Sequence, residues 1–292
     1  MVRQSLKTGR RKALTGVITK TFDILTVERK VYDARATKSA RARQTGRLVD
    51  VQELFAGAAE ITKRSHLWGL VAGEPVDWVF GWDLRDPRHR KLFSQHRARA
   101  RPLCLGGGPN CTPWCSFNYN INYKDRPEEL HQMREEERPV LRFTVKECWA
   151  QEAEGGVWFL ENPASSAFWD EPEVIELVCR DEAFVKTGDL CPFNVRGRLG
   201  KLIKGRTCWA SNCLKLVMAL GKDCVCLNPQ EDHEIAESGS TWMKQVWSPE
   251  LADTILEVIR RKAEQDDPFH SSGVGDAFWQ CSGSSRRLGT RW

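Results

Sequence analysis

A chain of 292 residues with 41% hydrophobic content has enough apolar mass for a complete core, and one large domain with tails fits it better than two equal halves. Eleven cysteines with no secretory apolar segment, and no apolar run long enough to span a bilayer, argue against a disulfide scaffold or a membrane-embedded protein and for a reducing, intracellular setting. The net charge of +5 is uneven: residues 1–48 carry thirteen Lys or Arg against Asp23, Glu28 and Asp33, which leaves the remainder about five charges negative.

That basic arm, residues 1–48, contains RRK and KSARAR clusters suited to nucleic-acid phosphates or to a nuclear signal; a solvated, disordered tail is the plain alternative. The absence of an acid before Asp23 also leaves an organelle presequence open.

From residue 49 the composition turns apolar. Strand-like runs LVDVQELF, VDWVFGWDL, RPLCLGG and GGVWFLE alternate with helical stretches, predicting an α/β domain over 49–264 with a mostly parallel, Rossmann-like sheet and helices on both faces. The helical stretch near 127–153 spaces Leu130, Met133, Val140, Leu141, Val145 and Trp149 on one face, with an interruption expected at Pro139. Residues 180–240 read as a small irregular or short-stranded region rich in Cys, Gly and basic residues. SPELADTILEVIRRKAEQ then reads as a closing helix with Ser248 as N-cap and Pro249 at its first position, before a flexible tail at 265–292.

Three segments in a set order suggest one nucleotide-cofactor site. VDVQELFAGAAEIT at 50–63 is a strand entering a small-residue turn and a helix, the element by which open α/β sheets offer backbone N–H groups to a cofactor. GGGPNCTPWCSFN at 106–118 puts thiols after a glycine run, and FLENPASSAFW at 159–169 ends a strand with Glu161, Asn162 and Pro163.

With these segments in view the chain resembles the cytosine carbon-5 DNA methyltransferases, whose hallmarks run in this order: a strand ending FxGxG, a PPCQxFS nucleophile loop and a Glu-Asn dipeptide. It looks most like the divergent members carried by phages and retroelements, over roughly residues 50–260. The resemblance implies a methyltransferase fold that binds S-adenosylmethionine at Glu53, Phe55, Gly57 and Pro109, with Ala59 standing where the family has its second glycine. Asp83 is expected to bind the ribose, with Asp86 as rival and Trp82 or Trp78 flanking the adenine.

On the same footing Cys111 is the expected nucleophile and Cys115 its alternate, although Asn110 replaces a family proline; the reaction needs a thiolate to attack carbon 6 of the base. Glu161 is expected to assist at the ring nitrogen of a flipped cytosine, and Asn162 to hold the loop. Arg196 and Arg198, with Arg206 beside them, fall where the family keeps a basic substrate-side motif. Only about forty residues separate Arg206 from the closing helix, too few for the family's large target-recognition domain.

Cys208, Cys213, Cys224, Cys226 and His233 have the side chains of a zinc site but no standard finger spacing, so ordinary reduced cysteines are the main expectation and no metal is assigned. The expected function is methyl transfer to nucleic acid, DNA ahead of RNA. The alternatives are a catalytically degenerate relative that binds nucleic acid or a partner, and an RNA methyltransferase; a nicotinamide enzyme fits poorly without GxGxxG.

Overall fold

The computed structural model describes residues 46–234 and 246–266. The tail expected at 265–292 and the basic arm fall outside these almost entirely. Of the arm, the described stretch is already attached: Arg47 donates to the carbonyls of Pro102 (3.1 Å) and Gly155 (2.9 Å).

Five strands form one sheet in the order β1-β2-β3-β5-β4: β1 Val51–Glu53, β2 Cys104–Gly107, β3 Val157–Pro163, β4 Phe184–Asp189 and β5 Arg206–Ser211. β1, β2 and β3 pair in parallel, and β5 pairs antiparallel with both β3 and β4. Four strands therefore share one direction, and the inserted β5 separates this sheet from the dinucleotide-binding order of parallel strands. All carboxyl ends except that of β5 open on one edge, and so does the β4–β5 connection.

The helices are α1 Glu60–Arg64, α2 Pro87–Ala100, α3 Pro127–Ala153, α4 Pro172–Val178, α5 Leu214–Leu220, the single turn α6 Pro229–Asp232 and α7 Pro249–Gln265. They cover both faces because buried strands alternate their side chains. Val157 and Phe159 of β3 pack with Trp209, Leu216 of α5 and Leu251, Ile255 and Ile259 of α7, whereas Trp158 and Leu160 face Leu141, Val145 and Cys148 of α3 and Val174 and Leu177 of α4. A third cluster joins Leu54 and Leu105 to Phe93 of α2 and Phe143 of α3. Ser248 caps α7, its hydroxyl accepting from Leu251 N–H (3.2 Å), as its position before Pro249 predicts.

Two expectations are corrected. VDWVFGWDL is not a strand: it contributes one parallel bridge, Val76 to Leu54, and then turns through a 3-10 segment at 78–80, because Asp77 accepts from Val79 N–H and Gly81 takes φ 88°. α3 runs as one 27-residue helix straight through Pro139, its apolar face held on β2 and β3. Of the two readings of residues 180–240 the short-stranded one holds, since they supply β4 and β5, the strands that complete the sheet.

One buried polar cluster ties α2 to α3. Arg97, 5% exposed, donates to Glu147 (2.7 Å) and Glu154 (3.0 Å), and Ser94 donates to Glu147 (2.5 Å). Removing one partner strands a buried charge, so Arg97→Ala should cost about 3–5 kcal/mol in urea denaturation, and the double change Arg97→Met, Glu147→Leu should recover most of it. Equal losses in both variants would show that the pair stabilises the fold in its own right.

Candidate active site

The first turn of the site follows β1. Phe55, Gly57 and Ala59 take φ of 53°, 51° and 56°, so three left-handed residues alternate within five and fold the chain back before α1. Glycine adopts this conformation freely and alanine does so at a cost of about 1–2 kcal/mol, which is the physical meaning of a glycine being expected at 59.

Glu53 points beneath this turn. It is 2% exposed and accepts from both the backbone N–H (2.9 Å) and the hydroxyl (2.7 Å) of Thr62; burial raises its pKa to about 7 against those hydrogen bonds. Its carboxylate is thus engaged by the chain's own α1. Phe55 is half-buried against the Leu54 cluster.

The acid that meets the glycine turn is Asp77, which sequence reasoning passed over. Its carboxylate accepts from Gly57 N–H (3.0 Å) and from Val79 N–H (3.2 Å), directly after the Val76–Leu54 bridge. Trp78 beside it is 71% exposed. Asp83 instead shapes the following turn by accepting from Arg85 N–H (2.9 Å), and Asp86 caps α2 and pairs with Arg88 (2.6 Å), which holds its carboxyl at about 2. Trp82 is 6% exposed, edge-on to His89, Phe93 and His96, and is core rather than platform. The signal available in the sequence was the pair Asp77-Trp78 directly after Val76.

The second turn follows β2. Parallel register sets Gly106 opposite Phe159 and Gly107 opposite Leu160, and the two chains leave the sheet side by side. Asn162, fully buried, donates to the Pro109 carbonyl (3.0 Å), while a Cβ on Gly108 would lie 2.8 Å from Glu161 Oε2. Gly108 is therefore the residue that lets the Glu161 carboxyl lie against the cysteine loop. Thr207 of β5 donates its hydroxyl to Glu161, and burial raises Glu161 to a pKa of about 7.

Cys111 is half-buried in a loop fixed on all sides. Its carbonyl accepts from Trp114 N–H (3.0 Å) and Cys115 N–H (2.8 Å), so both cysteines share one turn. Asn110 donates to Glu137 of α3 (2.6 Å) and accepts from Thr112 N–H (3.1 Å); Glu137 in turn pairs with Arg85 (3.2 Å). Arg134 donates to the Pro113 carbonyl (3.0 Å), and the Ser116 and Ser165 hydroxyls meet at 2.9 Å. Asn110 thus restrains the loop by hydrogen bonding on both its amide atoms.

Arg196 and Arg198 lie apart, exposed on the β4–β5 connection; Arg196 is spent on the Asn194 side chain (2.9 Å) and the Gly200 carbonyl (2.6 Å). Arg206 is taken by Asp223 (3.1 Å) and Asp189 (3.4 Å). The expected thiol and imidazole set also divides: Cys208 is buried in β5 and Cys213 stands at the start of α5, while Cys224, Cys226 and His233 gather with Cys191.

No protein-family model matches the sequence, and none of the curated proteins matches it either. Among solved structures it is similar to the Dnmt2 methyltransferase of S. pombe, with 10% identity over 56% of this chain and 48% of that one, at a TM-score of 0.31. It is similar also to the Entamoeba histolytica methyltransferase EhMeth, with 13% identity over 57% and 54% and a TM-score of 0.37. The chain spans about half the length of each, and the chemistry has to be read from the site itself.

Two outcomes follow from this geometry. Ala59→Gly should stabilise the protein by about 1 kcal/mol in equilibrium unfolding, through relief of the left-handed alanine. Glu161 has a folded pKa above its unfolded value, so its protonated form favours the native state below about pH 4.5, and this contribution is lost as pH rises through about 7. Glu161→Gln should therefore be more stable than the parent at pH 8, by up to about 3 kcal/mol, and gain nothing at pH 4. Melting curves at the two values check it.

Proposed function

We propose that this protein is an S-adenosylmethionine-dependent methyltransferase that modifies carbon 5 of cytosine in nucleic acid, DNA ahead of RNA, with Cys111 as nucleophile. The carrying observation is the pairing of the two turns: Asn162 binds the loop two residues before Cys111, and Glu161 rests against Gly108 of that loop with its pKa near 7. A thiol and a carboxyl on adjacent carboxyl ends of parallel strands are where an α/β sheet presents its chemistry.

The residues present suit the cofactor. The bare backbone at Gly57, the Asp77 carboxylate with lone pairs left for ribose hydroxyls, and the exposed face of Trp78 for a purine all stand at the ends of β1 and of the bridge beside it. When bound, S-adenosylmethionine supplies an electrophilic methyl group on sulfonium.

The chain's own part is as follows. Cys111, as thiolate, adds to carbon 6 of a base swung out of its stack, and the electron pair released toward carbon 5 makes that carbon nucleophilic. Glu161, with a pKa near 7, is protonated in enough molecules at neutral pH to donate to the ring nitrogen as its charge builds; when a water molecule takes the proton from carbon 5 and the thiolate leaves, the ring nitrogen returns its proton to Glu161. Asn162 positions the loop. Burial of Glu161 beside Thr207 keeps bulk water from levelling its pKa.

One observation favours the degenerate alternative: Ala59 stores strain where an open backbone serves the cofactor. The decisive assay offers radiolabelled S-adenosylmethionine with DNA and with RNA. Label on DNA cytosine, abolished by Cys111→Ser and reduced at least about a hundredfold by Glu161→Gln, is the expected result. Label on RNA alone moves the acceptor. Cofactor binding lost in Asp77→Ala without any transfer selects the degenerate reading, and transfer that survives Cys111→Ser ends the proposed mechanism.

A further inference from the structure

Cys191 follows β4 directly and Cys224, Cys226 and His233 lie in the segment after α5, yet their sulfur and ring-nitrogen atoms all lie within 4.8 Å of one another. None of the three thiols is in a disulfide. We propose that these four side chains bind one zinc ion, which clasps the β4–β5 connection to the segment after α5.

The donor set is that of a structural site: three thiolates and an imidazole fill a tetrahedron and leave no open position for chemistry. Bond lengths of about 2.3 Å to sulfur and about 2.0 Å to nitrogen put tetrahedral ligand atoms about 3.5–3.8 Å apart, so at most about 1 Å of closing is needed. Cys224 Sγ and His233 Nε2 already stand at 3.7 Å.

The backbone is fixed around the ligands. Asp189, 2% exposed, accepts from Cys224 N–H (3.0 Å); Asn194 N–H donates to the Cys191 carbonyl (3.0 Å). Leu202 bridges His233, donating to the Asp232 carbonyl (3.1 Å) and accepting from Glu234 N–H (2.9 Å). Such outer contacts orient ligands before a metal arrives.

A second observation supports a metal here. Among residues 222–228 and 231–234 no side chain is buried, and Val225 and Leu227 are 84% and 94% exposed. Hydrophobic burial does not hold this segment, and a small unit without a core is stabilised by a staple. The consequence is positional: the clasp sits on the connection that opens at the same sheet edge as Cys111 and Glu161, and it carries Arg196 and Arg198. The inference does not depend on the methyltransferase reading.

The test is metal analysis of the full chain purified under reducing conditions, with cobalt exchange to read the ligands. About one equivalent of zinc is expected, with tetrahedral thiolate absorption on cobalt replacement. Cys226→Ser should lose the metal, Cys226→His should keep it, and Cys213→Ser, outside the cluster, should match the parent. Should Cys226→Ser fail to fold, removing zinc from the parent with a chelator should open residues 222–234 to protease. Folded parent protein that takes up no zinc when it is supplied, that keeps its zinc in Cys226→Ser, or that forms a disulfide among the three thiols overturns the proposal. Methyl transfer is measured separately, so either idea can fail alone.

Discussion

The parallel pairing of β2 with β3 is the constraint from which the site follows. Cys104 opposite Val157 and Gly107 opposite Leu160 fix the register, so Gly108 must emerge beside Glu161 and Pro109 beside Asn162. A slip of one residue would turn Trp158 and Leu160 into the Phe159 cluster and bury the wrong face, so the hydrophobic alternation of β3 and the placement of its terminal carboxyl are one fact. The cost of that arrangement falls on Asn162, whose side-chain oxygen is buried without a hydrogen-bond partner while its nitrogen holds the loop.

Burial does electrostatic work at two strand ends. Glu53 and Glu161 both rise to a pKa of about 7 because the folded chain takes their carboxyls out of water, but their partners differ. Glu53 faces a backbone N–H and a hydroxyl of α1, a capping role that locks the glycine turn. Glu161 has one hydroxyl partner, Thr207, and faces the cysteine loop, which leaves it proton-exchanging capacity. Two acids with the same shift thus differ in how many hydrogen bonds the chain itself spends on them. The cysteine loop is held by an equally specific chain of contacts, Arg85 to Glu137 to Asn110, which joins the DLRDP turn to α3.

The architecture, alternation of strands and helices around a mostly parallel sheet, was legible because the buried strands are short, apolar and flanked by turn residues, and because Ser248-Pro249 announces a helix start. The three segments carrying Gly57, Cys111 and Glu161 were legible as motifs, since local residue order is all a motif needs. The acid that meets the Gly57 turn was not, because spacing along the chain drew attention to Asp83, whereas the Val76–Leu54 bridge places Asp77 against Gly57 and Trp82 packs in the core.

By itself the sequence determined which residues could do chemistry and where most strands and helices lie, VDWVFGWDL excepted, since periodicity and turn composition act over a few residues. Tertiary structure alone decided which of them meet. Cys191 joined Cys224, Cys226 and His233 while Cys208 and Cys213 went elsewhere, and Glu161 came to rest on Gly108. Those choices depend on strand order and on the antiparallel insertion of β5, which pairs residues as distant in the chain as Phe159 and Ser211. Pairings at such separations are set by core packing of the whole sheet, and no local pattern in the chain encodes them.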